Sequence, residues 1–155
     1  SVTRSIEINA PVEQVFEFIA DPCRRMSAMS RMLKRRIAVS DVEASPDGVV
    51  GRYKFTTRFF WLPFGITATV VREEHVANSR ILEKGLAPTK DADEITFEPS
   101  GNGTRLTWHN EFTSPQVLVR IWDLIGAKGN TQERQVDDML ARVKLELETE
   151  PKPAG

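Results

Sequence analysis

The feature that most limits the fold is a hydrophobic period that changes only near the two ends of the chain. From about residue 35 to about residue 113, apolar side chains recur at every second position, the spacing of strands with one covered face. In VVGRYKFTTRFFW (49–61), Tyr53, Phe55, Thr57, Phe59 and Trp61 share a face. LPFG interrupts the run, and the β-branched stretch ITATVVREEHV returns as its partner. RRIAVSDVEA before SPDG, RILEKGL after Asn78-Ser79, EITFE before PSGNG, and TRLTWHNEFT complete the set.

The ends read differently. VTRSIEIN alternates and forms a first strand. Val12, Val15, Phe16 and Ile19 then fall on one helical face, with Pro11 suited to the first helical position and Asp21-Pro22 as the stop. Met26, Met29 and Leu33 predict a second short helix. At the other end, Leu118, Ile121, Trp122 and Ile125 make a stripe, Gly126 and Gly129 mark a break, and Val136, Leu140, Val143 and Leu147 carry an amphipathic helix. The order is strand, two helices, about six antiparallel strands and a long final helix. One sheet face needs a cover, and only the last helix is long enough, at roughly 30 Å for 20 residues. The expectation is an α+β fold in one domain over residues 1–149, with 150–155 a frayed, disordered tail.

Composition narrows the function. Hydrophobic residues are 40% and charged residues 28%, ordinary for a globular chain, and the net charge of −1 argues against a general nucleic-acid binder. Cys23 is the single cysteine, and with His75 and His109 it falls short of a Cys/His zinc site, so neither a metal nor a cofactor is expected. No apolar run reaches a membrane span, and SVTRSIEINAP has no signal core, so a cytoplasmic location is expected.

SIEINAPVEQVFEFIADP (5–22), together with EITFEPSGNGTRLTWHNEF (94–112) ahead of the last helix, resembles the START-like superfamily. The nearest branch is the polyketide cyclase/dehydrase and lipid-transport group, also called SRPBCC. The resemblance covers nearly the whole chain. It implies a helix-grip fold: a curved antiparallel sheet wrapped around the C-terminal helix, two short helices after the first strand, and a deep cavity between sheet and helix. It also implies binding or transfer of a hydrophobic ligand, and in some members action on polyketides. Where many members carry a tryptophan after the first helix, this chain reads DPCRRMSAMSRML, with methionines suited to a lip that reshapes around a ligand.

On that fold, Tyr53, Phe55, Phe59, Phe97, Trp108, Leu118 and Trp122 are the expected ligand-binding wall, and the bland alternative for the strand aromatics is plain core. Asn110 interrupts an apolar face and needs a partner when buried, either a ligand group or neighbouring backbone. His109 is out of phase with Trp108 and Asn110 and is expected to face solvent, as is His75 at a strand end. The run shows no G-x-S-x-G elbow and no phosphate loop, and catalytic residues stay unassigned. Arg24, Arg25, Arg31, Lys34, Arg35 and Arg36 form a basic cluster with no acid among them. They read either as a solvated face or as a cationic lip for an amphiphile with an acid head or for a brief landing on an anionic membrane. The function expected is binding, transport or sequestration of a lipid, quinone or polyketide. The rivals are a cyclase or dehydratase, which requires two or more titratable groups converging in the cavity, and a partner-binding module.

Overall fold

The computed structural model describes residues 1–33, 36–58, 65–86, 90–113 and 132–149. In chain order these form β1 (Val2–Ile8), α1 (Val12–Ala20), α2 (Pro22–Leu33), β2 (Arg36–Ala44), β3 (Val50–Arg58), β4 (Gly65–Val76), β5 (Arg80–Gly85), β6 (Lys90–Ser100), β7 (Gly103–Thr113) and α3 (Gln132–Thr149). The strands make one curved antiparallel sheet in the order β1-β7-β6-β5-β4-β3-β2. Only the β1–β7 pairing joins strands that are distant in sequence; every other pair is a neighbour along the chain. This is the helix-grip α+β fold that the resemblance implied.

Asp21 organises the turn between the first two helices. Its extended backbone (φ −87°, ψ 107°) ends α1, and its Oδ1 then accepts from the backbone N–H groups of Cys23 (2.9 Å) and Arg24 (3.3 Å), so it caps α2. Pro22 fits beside it because the first turn of a helix has no use for its missing N–H. Pro11 lies one residue outside α1, at the N-cap.

The final helix buries Val136, Leu140, Val143 and Leu147, the stripe read from the sequence, against β1 and α2. Its outer face is tied down by Arg4 with Glu133 (3.0 Å) and Asp137 (3.1 Å), by Arg31 with Glu146 (2.9 Å), and by Lys144 reaching the Glu7 carbonyl (2.7 Å). Such exposed pairs fix orientation more than they add stability. The core between α1 and the sheet holds Phe16, Phe18, Ile19, Ile81, Ile95, Phe97 and Leu106.

Two glycines are demanded by geometry in the β6–β7 hairpin. Gly101 sits at φ +58°. At Gly103 a Cβ would lie 2.3 Å from the Ile8 carbonyl oxygen, so only glycine lets β7 start so close to the end of β1.

β4 carries a bulge between Arg72 and Glu74, and the strand changes phase there. Before it, Ala68, Val70 and Arg72 face inward; after it, His75 pairs with the fully buried Ile81. His75 is therefore half-buried, with its ring 4.9 Å from that of Phe16, and not the solvent-facing side chain expected at a strand end. Burial, with the Arg72 charge second, holds its pKa below the usual histidine value.

Candidate functional site

A row of polar side chains crosses the inner face of the sheet. Arg72 on β4 pairs with Glu83 on β5, Glu83 with Asp93 on β6, and Asp93 with Asn110 on β7. Each stands in phase with apolar neighbours on its own strand, so the row is carried inward with the core. Arg25 descends onto it from α2, and Tyr53 from β3.

Glu83 is the hub. Its Oε1 accepts from Arg72 Nη2 (2.8 Å) and Nε (3.2 Å), and its Oε2 from Arg25 Nη2 (2.9 Å) and the Tyr53 hydroxyl (3.3 Å). Arg25 also donates to the Tyr53 hydroxyl oxygen, and Arg72 donates to the Ala20 carbonyl (3.1 Å). Tyr53, Arg25, Glu83 and Arg72 are 1%, 2%, 3% and 8% exposed, so the cluster is buried. Burial pushes the Glu83 carboxyl up, but the charges and hydrogen bonds of Arg25 and Arg72 more than reverse this and hold it below the usual range. Burial also pulls Arg25 down, and Glu83 outweighs it, so Arg25 stays charged. Burial keeps the Tyr53 phenol neutral by raising its pKa.

Asp93 Oδ1 accepts from Trp108 Nε1 and from Asn110 Nδ2, each at 2.7 Å. Asn110 thus has a side-chain carboxylate as partner, where a ligand group or backbone was expected. Burial raises the Asp93 pKa, partly offset by these two donors. Two residues earlier on the same strand face, Asp91 is pushed up to about 6 by burial and then by the nearby Asp93 charge.

These groups border a cavity of about 120 Å³. Arg25, Met26 and Met29 of α2 and Met139 of α3 line it from the helices, and Tyr53, Phe55, Val70, Glu83, Gly85, Asp91, Asp93 and Trp108 line it from the sheet. Of the sequence-expected wall, Tyr53, Phe55 and Trp108 meet here, and Asn110 lies behind Asp93. Phe97 packs edge-on against Phe16 in the core, rings 5.1 Å apart, and is not among the lining residues. Phe59, Leu118 and Trp122 lie outside the described residues, as do Gly126 and Gly129.

The charged half of the site was missed. Its signal is an ionisable residue in phase with strand hydrophobics: Arg72 after Ala68 and Val70, Glu83 after Ile81, Asp91 and Asp93 before Ile95 and Phe97. On α2 the matching signal is Arg25 three and four residues before buried Ala28 and Met29.

Of the basic cluster of the sequence, Arg24 and Arg31 border one surface hollow while Arg25 turns into the core. Arg25 is buried and Arg31 makes a bidentate pair with Glu146. Arg24 stacks over Phe18 at 5.0 Å, Arg36 is exposed, and Lys34 and Arg35 lie outside the described residues. A hollow of about 250 Å³ beside α2, bordered by Cys23, Ser27 and the Arg31–Glu146 pair, is an open groove on the surface. His109 faces away from the cavity, bonded to Thr3 (2.6 Å). Among the described residues no group of three or more His, Cys, Asp and Glu is placed to hold a metal, and no helix is long and apolar enough to cross a membrane.

Asp91 yields a first expected result. A carboxyl that titrates near 6 when folded and near 3.9 when unfolded binds its proton more tightly in the folded state. Its contribution is fully present below pH 3.9 and is lost as pH rises through 6. Asp91→Asn removes the ionisation, so the variant should be more stable than the parent at pH 8 by about 1–2 kcal/mol, allowing for solvent screening of a partly exposed group. The gain should shrink toward zero by pH 4. Urea unfolding at the two pH values measures it, and a gain equal at both would show that ionisation is not the cause.

A curved antiparallel sheet with two short helices after its first strand and a helix at its C-terminal end is the helix-grip fold of SRPBCC-type domains. The chain belongs to the polyketide cyclase / dehydrase and lipid transport family, whose model matches residues 1–148. Solved structures share the fold. Protein CV1439 from Chromobacterium violaceum is 17% identical, with 96% of this chain and 97% of that one covered at a TM-score of 0.68. A protein from Arthrobacter aurescens is 14% identical (96% and 86% covered, TM-score 0.67). DR_A0006 from Deinococcus radiodurans is 18% identical (94% and 95% covered, TM-score 0.62). No curated protein matches the chain.

Proposed function

We propose that the protein binds a small, mostly apolar molecule in the cavity between α2, α3 and the sheet. The observation that carries this reading is the mixed lining: adaptable methionines with Phe55 and Val70, and a few fixed polar groups among them. The apolar side chains supply affinity at about 25 cal/mol per Å² of ligand surface taken from water, before ordering costs. The polar side chains supply orientation, because Arg25, Tyr53 and Glu83 hold one another, as do Asp93 and Trp108, and need no rearrangement when a ligand arrives. Family membership supports the class of ligand (a lipid, quinone or polyketide-like molecule) without naming one.

A second reading, a cyclase or dehydratase, is favoured by one specific observation. Titratable groups do converge here, and Asp91 at about 6 exchanges protons readily at neutral pH, as a general acid or base must. A landing on an anionic membrane through α2 is a weaker proposal, since Arg25 is buried and Arg31 is paired.

The test is native mass spectrometry of protein purified from its own host, followed by extraction of what it carries. One apolar molecule per chain is expected. A bare mass that does not shift on adding fatty acids, quinones or aromatic ketones would overturn the binding reading. Deuterium exchange from solvent into the α-position of a bound ketone separates the two readings: acceleration above the buffer rate marks an enzyme, and the buffer rate marks binding alone.

A further inference from the structure

Among the described residues three carboxyls line the cavity, and neighbouring side chains answer two of them. Glu83 accepts from Arg25, Arg72 and Tyr53, and Asp93 from Trp108 and Asn110. Asp91 is half-buried and accepts from its own backbone N–H, with no described side chain donating to it. The sheet register explains the difference. Asp93 stands in a polar row, paired with Glu83 on β5 and Asn110 on β7. Asp91 stands in the next inward row, and its partner on β7 is Phe112. On the other side Lys84 pairs with Ala92, which brings Gly85, the last residue of β5, beside Asp91. Neither Phe112 nor Gly85 has a side-chain donor to offer. Gly85 has no side chain to stand over Asp91 either, and the cavity extends across it.

A ligand that fills a cavity of about 120 Å³ takes Asp91 out of contact with solvent. An ether, ketone or ester oxygen placed there leaves the carboxylate with neither water nor a donor, which is costly for a buried acceptor. An O–H or N–H group replaces what solvent supplied, and a hydrogen bond to an ionised acceptor is among the strong ones. The other ionisable groups facing the cavity are Asp93 on the same strand, Glu83 on β5, Tyr53 on β3 and Arg25 on α2. The last three are bonded to one another, and the described part of α3 contributes Met139.

Resting on the ligand-binding reading, we propose that Asp91 holds the polar end of the ligand, and that this end is a hydrogen-bond donor, a hydroxyl or an amine, on an apolar body. The acid-headed amphiphile that the basic cluster suggested from sequence has no such hydrogen once it is ionised.

Benzyl alcohol and its isomer anisole test this, because only the first carries a hydrogen on its oxygen. Binding is followed by NMR titration at two pH values. At pH 7.5, with Asp91 ionised, benzyl alcohol should bind at least about tenfold more tightly than anisole. At pH 5, with Asp91 mostly protonated, its own O–H donates to either oxygen, and the preference should fall to about threefold or less. Asp91→Asn carries both a donor and an acceptor, leaves the buried cluster intact and is expected to fold. It should show the small preference at both pH values, which assigns the pH dependence to Asp91 and not to Asp93 or Glu83. Benzylamine separates the two donors: it should also bind more tightly than anisole at pH 7.5, and its rank against benzyl alcohol tells an amine ligand from a hydroxyl one. Anisole matching benzyl alcohol at pH 7.5, or a full preference kept by Asp91→Asn, would overturn the anchor and leave the cavity reading standing. Failure of all three probes to bind would overturn both.

Discussion

Replacing Glu83 with alanine is expected to remove about 3–5 kcal/mol of stability, a large part of what a domain of this size has. The loss does not reflect attraction in the intact cluster, which is largely offset by the cost of drying three charges. It arises because Arg25 and Arg72, 2% and 8% exposed, would be left buried with no carboxylate between them. Replacing the whole cluster by shape (Arg25→Met with Arg72→Leu and Glu83→Leu) should therefore cost far less than Glu83→Ala alone. The same carboxyl sets an acid limit. Its folded pKa is depressed, so its contribution is present above the unfolded value near 4.3 and is lost as pH falls through the folded one. The gap between parent and Glu83→Ala should accordingly narrow on acidification. Urea unfolding at pH 7 and pH 3 measures both. A loss under 1 kcal/mol at pH 7 would mean that water reaches the cluster and screens it.

That a buried ionic cluster shares Arg25, Tyr53 and Glu83 with the cavity lining explains how the site was only half legible. Hydrophobic period places every described strand, the α1 face and the α3 stripe, because burying apolar surface is what fixes phase and register. It also brings Tyr53, Phe55 and Trp108 to the cavity. The charged wall obeys the same period, but its residues look like surface residues one at a time. Lys84 and Glu83 are neighbours of equal polarity, and only pairing across three strands shows that Glu83 meets Arg72 and Asp93 while Lys84 turns outward to Glu73. Arg25 was hidden in another way. It stands among five other basic residues, and chain proximity suggested a common face, whereas its place on α2 turns Arg25 to the core. His75 was misplaced by a single inserted residue, the β4 bulge, which no alternation pattern announces. Long-range pairing and bulges are tertiary facts, and sequence period carries no trace of them.

Trp108→Ala should be comparably costly, at about 3–5 kcal/mol, since it removes a buried indole and one of the two donors on Asp93 Oδ1. The site it leaves would be bounded by Arg25 on one side and Asp93 on another, an apolar space with one acceptor in known position. Free indole fits both requirements. At a concentration ten times its dissociation constant it should restore about 1.4 kcal/mol, seen as a saturable rise in Tm. Indene has the same shape without the N–H, so it should restore less, and the difference isolates the bond to Asp93. Equal rescue by the two would reduce Asp93 to a bystander and leave packing as the whole role of Trp108. Rescue by neither would mean that α2 and α3 collapse into the space, in which case the cavity of the parent protein is held open by the tryptophan itself. Preferential rescue by indole would instead show that sheet and helices keep the cavity open unaided, with its acid wall aimed at whatever occupies it, as a site that admits an apolar body and reads its polar atoms must be.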